Sequence, residues 1–376
     1  MERNTQTHLG YPYNLQPLYS DLRPFTDFFL NNLGDAYAGS NYGINTQDLE
    51  REVINVFADM WGASQQSDPI WGAVTSCGTE GNLLGVLYGR EAVEAGGNCR
   101  GTVVSSVESH YSIAKAARMY RMPFERVAST ANDAELDYVA FAEVCRRISG
   151  EGGGVVAVVN AGSTVRGAHD RLEKVLEGLE AAGVPEARRY IHVDAALSGL
   201  ILPLLEEARP WHFGFDLGAD SIAVSGHKQL GTPLPCGVVC TKRAHMERWA
   251  AGTPAEADYV NTQDSTLAGS RSGFAALALW YAIEVQGLAG VELDARGCVD
   301  RAKYLVKTLN HEVPGSNAVR FNPFSTTVVF KRPCEALEHK FQLATTGDIA
   351  HVVVMPSVTK QTLNTFVQEY AAQFEK

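Results

Sequence analysis

The 376-residue sequence predicts an α/β protein with a large, mainly parallel sheet and a smaller C-terminal α+β unit. In its middle, short apolar runs rich in β-branched residues alternate with helical stretches, an order typical of such a sheet. From about residue 250 this alternation gives way to a polar, glycine-rich segment, and a long helix then leads into a shorter unit. We therefore predict an N-terminal segment 1–45, a large sheet domain 46–285 and a small C-terminal domain 286–376.

The elements follow from these patterns in chain order. Strands are expected at 72–76, 102–105, 155–160, 190–193, 221–224 and 237–241, with helices between them at 82–95, 110–120, 137–148 and 171–182. The later elements are helices at 275–285, 291–310 and 363–374 and strands at 325–330 and 349–355. The first 45 residues, rich in aromatic residues and asparagine, are suited to wrapping over a neighbouring chain.

Charge and composition exclude several classes of partner. The net charge of −11 and the pI near 5.4, with no basic cluster, argue against nucleic acid and anionic membranes. No apolar run reaches the roughly 20 residues of a membrane span, and the first residues lack an apolar signal core. Cys236 and Cys240, on one face of a strand, are expected to be buried thiols because no matching His or Cys pair is near. We expect a reduced, cytoplasmic protein without a metal.

Lys228 and Asp194 carry the strongest functional signal. Each directly follows or ends an apolar run, where a charged residue is unusual. Desolvation favours the neutral amine of a lysine, the form that condenses with an aldehyde, and a nearby carboxylate can keep a pyridine nitrogen protonated. Pyridoxal 5'-phosphate (PLP) needs both groups, because its protonated ring is an electron sink. The alternative is a surface lysine and a capping aspartate.

Other predicted strands also end in residues that suit PLP, and an open parallel sheet binds ligands beyond those ends. Residues 77–82 (Cys-Gly-Thr-Glu-Gly-Asn) open a helix and offer backbone N–H groups and the Thr79 hydroxyl to a phosphate, although ordinary helix capping explains them as well. His110 could stack on a planar ring, or be a buried histidine with satisfied bonds. Thr164 could offer a hydroxyl to the phenolic oxygen of the cofactor.

These blocks resemble the group II PLP-dependent amino-acid decarboxylases, which have the aspartate-aminotransferase-like fold, PLP fold type I. Within that group the chain is most similar to plant-type serine decarboxylases and PLP-dependent bacterial histidine decarboxylases. The similarity runs from residues 31–35 (Asn-Asn-Leu-Gly-Asp) to 347–351 (Gly-Asp-Ile-Ala-His). Its specific blocks are 77–82, 108–112 and 225–228.

The resemblance implies a role for each residue of a PLP site. Lys228 would form the Schiff base with the cofactor, Asp194 would hold the ring nitrogen, and His110 would stack on the ring. The remaining contacts would be Ala196 on the opposite ring face, Thr164 near the phenolic oxygen, and Gly78, Thr79, Ser225 and His227 around the phosphate.

The resemblance also implies residues from neighbouring segments. The segment containing Ser270 is similar to one that crosses a dimer interface toward the partner's site, so a homodimer or a higher homo-oligomer is expected. Asn41 and Tyr42 are candidates for the substrate pocket, although a turn with a packed tyrosine explains them equally well. Tyr259 is a candidate for a lid tyrosine that protonates a carbanion. His351, on an apolar strand, is expected to be structural.

The implied reaction is α-decarboxylation of an L-amino acid, with L-serine giving ethanolamine and L-histidine giving histamine as the alternative. Residues 31–35, 40–43 and 116–122 are similar to the serine-type enzymes, whereas 194–199 is similar to the histidine type. An aminotransferase would instead clamp the α-carboxylate with an arginine, for which Arg320 and Arg332 are candidates. A third possibility is a non-catalytic homologue that binds PLP.

Overall fold

The computed structural model describes residues 1–16, 18–38, 40–65, 67–95, 99–251 and 265–373. The strands are β1 Ile70–Thr75, β2 Gly101–Ser106, β3 Phe124–Val127, β4 Gly154–Asn160, β5 Arg189–Asp194, β6 Ser221–Ser225, β7 Gly237–Lys242, β8 Thr327–Lys331, β9 Ala344–Thr346 and β10 Ile349–Val353. The helices are α1 Glu2–Thr7, α2 Gln47–Met60, α3 Gly78–Glu94, α4 Tyr111–Met119, α5 Tyr138–Gly150, α6 Leu172–Ala181, α7 Gly226–Gln229, α8 Arg243–Ala251, α9 Gly273–Glu312, α10 Glu335–Phe341 and α11 Lys360–Ala372.

Seven of the described strands form one sheet in the order β1-β7-β6-β5-β4-β2-β3. The pairs from β6 through β5, β4 and β2 to β3 are parallel, and β7 pairs antiparallel with both β1 and β6. β1 therefore points the same way as β6, and the carboxyl ends of β1, β2, β4, β5 and β6 meet at one edge. This is the mainly parallel sheet predicted from the sequence.

Within the large sheet, the predicted strands and the observed ones differ at one edge. The six strands predicted for this sheet all occur, with ends within two residues of the predicted ones. β3 was not predicted, because Phe124–Val127 is a short edge strand in which only Val127 is fully buried. Its charged residues, Glu125 and Arg126, hide the apolar pattern on which the prediction rests.

The second sheet, β8-β10-β9, is antiparallel and packs against α11 through an aromatic cluster that includes Phe330 and Phe366. α9 joins it to the large sheet and bends at Gly287, which has φ 64°. Among the described residues, α9 is long and apolar enough to cross a membrane by length and composition alone. Its bend and its buried residues 275–279 are those of a core helix.

Residues 9–14, which we call the N-terminal strap, cross from the small sheet to α7. At one end, the amide of Val353 donates to the carbonyl oxygen of Leu9 at 2.8 Å. At the other end, the amide of Asn14 donates to the carbonyl oxygen of Lys228 at 3.0 Å. This part of the segment that was predicted to wrap over a neighbour therefore packs on its own chain.

Candidate active site

One cavity of about 490 Å³ lies at the edge where the five strands end, between the large sheet and the small sheet. Nine of the ten predicted cofactor contacts line it: Gly78, Thr79, His110, Thr164, Asp194, Ala196, Ser225, His227 and Lys228. Ser270, Asn41 and Tyr42 do not line it, and Tyr259 lies outside the described residues. The topology thus brings together residues that are up to 150 positions apart, 78 to 228.

Lys228 lies on α7, the short helix that directly follows β6. Burial lowers the pKa of its amine, and the nearby carboxylate of Asp194 partly opposes that shift. A lowered pKa increases the fraction of neutral amine, which is the nucleophilic form. The structure therefore places a reactive lysine beside a carboxylate, as the sequence predicts.

Asp194, the last residue of β5, is held through both carboxylate oxygens. The side-chain amide of Asn82 donates to Oδ2 at 2.8 Å, and the backbone amide of Ala196 donates to Oδ1 at 3.2 Å. Donors on both oxygens satisfy the carboxylate and fix its direction. A carboxylate held in this way can pair with a protonated pyridine nitrogen.

Asn82 in turn belongs to a buried chain of hydrogen bonds that the sequence did not reveal. Its Oδ1 lies 3.0 Å from Nε2 of His192, and Nδ1 of that ring lies 2.7 Å from Oγ of Ser221. Burial lowers the pKa of His192 to about 4, so the ring is neutral at neutral pH. A neutral imidazole has one donor and one acceptor, and this chain uses both. The available signal was that His192 and Asp194 share one face of β5.

His110 immediately precedes α4 and is oriented by the first turn of that helix. Its Nδ1 lies 2.8 Å from Oγ of Ser112 and accepts from the backbone amide of Ser112 at 3.3 Å. Oγ of Ser112 also accepts from Nδ2 of Asn82 at 2.9 Å, which connects His110 to the hydrogen bonds around Asp194. Burial lowers the pKa of His110, so a neutral ring with a fixed plane lines the cavity.

The other end of the cavity suits a phosphate. α3 begins at Gly78 directly after β1, so its first amides have no partner within the helix and point outward at the positive helix end. A Cβ on residue 78 would overlap Oγ of Ser225, so any side chain here would displace that hydroxyl from its present position. With the hydroxyls of Thr79 and Ser225, these amides form a donor set for an anion. The residues present therefore fit PLP: a reactive amine, a paired carboxylate, a flat imidazole and a phosphate cradle.

Among the described residues that line the cavity, none is an arginine. Arg320 donates instead to the carbonyl oxygens of Pro323 and Ser325, at 3.0 and 3.2 Å, and Arg332 pairs with Glu338 at 2.6 Å. Neither arginine is placed to bind the α-carboxylate of a substrate. The described lining therefore lacks the arginine that an aminotransferase would use for this purpose. No metal-ligand cluster occurs among the described residues either.

Ser270 lies at the surface, outside this cavity. Its Oγ accepts from Nδ2 of Asn31 at 3.2 Å, and it lines a neighbouring cavity of about 530 Å³ that shares Cys77 and Thr79 with the first. The next residue, Arg271, is buried and forms an ion pair with the buried Glu50. The ion pair fixes this segment against its own chain and leaves Ser270 facing outward beside the phosphate end.

The remaining candidates lie on other elements. Asn41 is exposed, and the hydroxyl of Tyr42 donates to the carbonyl oxygen of Phe29 at 2.9 Å, in a turn away from the cavity. His351, in contrast, does line the cavity.

Comparison with known proteins identifies the family of the chain. The profile of the pyridoxal-dependent decarboxylase conserved domain matches residues 43–332. Serine decarboxylase 1 of Oryza sativa subsp. japonica is 40% identical over 97% of this chain and 72% of its own length. Histidine decarboxylase of Vibrio campbellii is 37% identical over 94% of this chain and 87% of its own length. The structure of L-methionine decarboxylase from Streptomyces sp. 590 superposes with a TM-score of 0.87 at 26% identity, covering 99% of this chain and 93% of the other.

Proposed function

The chain belongs to the pyridoxal-dependent decarboxylase family and is a PLP-dependent amino-acid decarboxylase of fold type I, and from that premise we propose that it converts L-serine to ethanolamine and CO2. The predictions of family, fold class and cofactor are confirmed by the comparisons. The substrate is the proposal. Three serine decarboxylases of Oryza sativa, at 38 to 40% identity, support it.

One observation supports decarboxylation most directly: Lys228 and Asp194 face each other in a cavity whose described lining contains no arginine. An aminotransferase holds the α-carboxylate, whereas a decarboxylase must release it. A cavity wall without a guanidinium binds the α-carboxylate of the substrate weakly. Little binding energy is then lost when this group leaves as CO2.

PLP, when bound, supplies an electron sink for the pair of electrons that the departing CO2 leaves behind. The residues of this chain provide orientation and electrostatics. Asp194 would hold a proton on the ring nitrogen of the cofactor, and Asn82 keeps that carboxylate in place. His110 lines the cavity with Nδ1 engaged by Ser112, which leaves Nε2 as the ring atom able to move a proton.

The substrate proposal is tested by incubating the PLP-loaded protein with a panel of L-amino acids and identifying the released amines by mass. We expect ethanolamine from L-serine at a kcat/KM at least roughly tenfold above that for any other amino acid tested. Release of histamine from L-histidine instead would select the alternative, which the bacterial histidine decarboxylases at 35 to 38% identity also support. A keto acid as the product would contradict both proposals.

We also propose that the protein acts as a homodimer whose partner subunit approaches at Ser270. Three facts support this: Ser270 is exposed, it is anchored through Arg271, and its cavity shares Cys77 and Thr79 with the active site. A second chain seated there would lie against the phosphate end of the site. Exposed apolar side chains near this surface, Met119 and Leu267, are also available for burial.

Complementation between two inactive variants tests the shared site. Neither Lys228→Ala nor the bulky Ser270→Trp is expected to be active alone. If the sites are shared, a dimer made of one subunit of each variant has one intact site of two. Random subunit exchange makes about half of the dimers mixed, so the mixture should recover about a quarter of the wild-type activity. Light scattering must show a dimer in parallel. An active monomer, or full activity of Ser270→Trp, would contradict the shared site.

A further inference from the structure

The active-site cavity has a second wall that the cofactor contacts do not explain. The nine predicted PLP contacts that line this cavity all lie at or just beyond the ends of strands in the large sheet. The opposite wall is formed by strap residues 10–13 together with Ala344, His351 and Val353 of the small sheet. Because the first wall is assigned to PLP, the second wall is the one left for the amino-acid substrate.

The strap is held rigidly against the small sheet. A Cβ on residue 10 would overlap the carbonyl oxygen of Gln342, so Gly10 allows two backbones to lie in direct contact. The strap is also bonded to Val353 at one end and to the Lys228 carbonyl at the other. A wall tied at both ends is preorganised, which favours selective binding over adaptation.

Three side chains of this wall can form hydrogen bonds: Tyr11, Tyr13 and His351. The two tyrosines are 47% and 40% exposed, whereas His351 is 5% exposed. A hydrogen bond from a ligand to an exposed hydroxyl contributes little binding free energy, because it only replaces a hydrogen bond to water. A buried group that is left unpaired costs far more, so it discriminates between ligands that can and cannot pair with it.

His351 is fixed in both position and charge. It lies in the centre of β10, opposite Val329 of β8 and Ala344 of β9, and its side chain hydrogen-bonds the backbone of Gly10. Burial lowers the pKa of His351 to about 4, so the ring is neutral at neutral pH. With one side of the ring engaged by Gly10, the other ring nitrogen is the one available to a ligand.

We propose that His351 is a specificity-determining residue, whose imidazole hydrogen-bonds the side-chain hydroxyl of a small hydroxylated amino acid in the cavity. A hydroxyl both donates and accepts, so it pairs with this nitrogen in either ring tautomer. A neutral ring supplies no charge for a carboxylate, which suits a group that must leave as CO2. This inference rests on the proposed function, since it assumes that serine is the substrate.

The test compares two competitive inhibitors that differ only in the hydroxyl, L-serine methyl ester and L-alanine methyl ester. In the wild type, we expect the serine ester to bind roughly 10- to 100-fold more tightly. In His351→Leu, this ratio should fall toward one, while the absorbance of bound PLP stays unchanged. His339→Leu, an exposed histidine on α10, is the matched control and should retain the wild-type ratio.

His351→Gln provides a second variant in case the leucine variant does not fold. Its amide can still pair with a hydroxyl, but from a different position, so the ratio should change at least about threefold. An unchanged ratio in either folded variant would overturn the inference and leave His351 a structural residue. A wild type that releases no ethanolamine from L-serine would instead overturn the proposed function, before any variant is compared.

Discussion

Replacing Lys228 by alanine is expected to lower kcat by roughly 1,000-fold or more and to abolish covalent attachment of PLP. The amine is the only group in the cavity placed to bond to the cofactor aldehyde, so no neighbouring residue can substitute for it among those described. Single-turnover assays with a purified, PLP-soaked variant measure the rate. Reduction with borohydride followed by mass analysis measures the attachment.

Two further variants separate chemistry from folding. Lys228→Arg keeps a positive charge beside Asp194, but a guanidinium stays protonated and cannot condense with an aldehyde, so it should be as inactive as alanine. Lys303→Ala removes an exposed lysine from α9 and should retain wild-type activity and attachment. Wild-type turnover by Lys228→Ala would end the assignment of this cavity as the active site.

The cofactor half of this site could be predicted from the sequence because of one geometric fact. Parallel strands end at a common edge, so residues such as Asp194 and Lys228, each placed at a strand end, must lie near one another. No knowledge of side-chain contacts was needed. β7 is reversed, yet it does not disturb this edge, because β1 beyond it points the same way as β6.

The substrate half could not be predicted, because it depends on contacts between distant segments. His351 lies on an apolar strand, and the sequence alone favours a structural role for it. Only the docking of the small sheet and the strap against the large sheet turns His351 toward the cavity. Asn82 was missed for the same reason: its contact with His192 joins α3 to β5 across 110 residues of sequence.

Replacing Asp194 by asparagine is expected to lower kcat by roughly 100-fold or more and to weaken PLP binding. The change removes the charge that keeps the ring nitrogen protonated. It also puts an amide NH2 where one oxygen now accepts, from Asn82 or from the backbone of Ala196. Two donors would then face each other in a buried position, which costs stability as well as activity.

The effect of the charge can be separated from that of the hydrogen bonds. Asn82→Ala keeps the carboxylate but removes one donor, so we expect a smaller loss in kcat, about tenfold, with PLP still bound. Asp194→Glu keeps the charge on a longer side chain, so its kcat should lie between that of Asn82→Ala and that of Asp194→Asn. The kcat of each variant is measured at saturating PLP, where differences in cofactor affinity no longer contribute.

The order of these three variants is decisive for the role of Asp194. If the carboxylate acts by its charge, kcat must be highest in Asn82→Ala, intermediate in Asp194→Glu and lowest in Asp194→Asn. If it serves only as an acceptor, Asn82→Ala and Asp194→Asn must lose activity to a similar extent, because each removes one of the two hydrogen bonds that the Asp194 carboxylate accepts, from Asn82 at 2.8 Å or from the backbone of Ala196 at 3.2 Å. A kcat for Asp194→Asn within twofold of wild type would contradict both roles, since neither the charge nor the bond would then matter to the reaction.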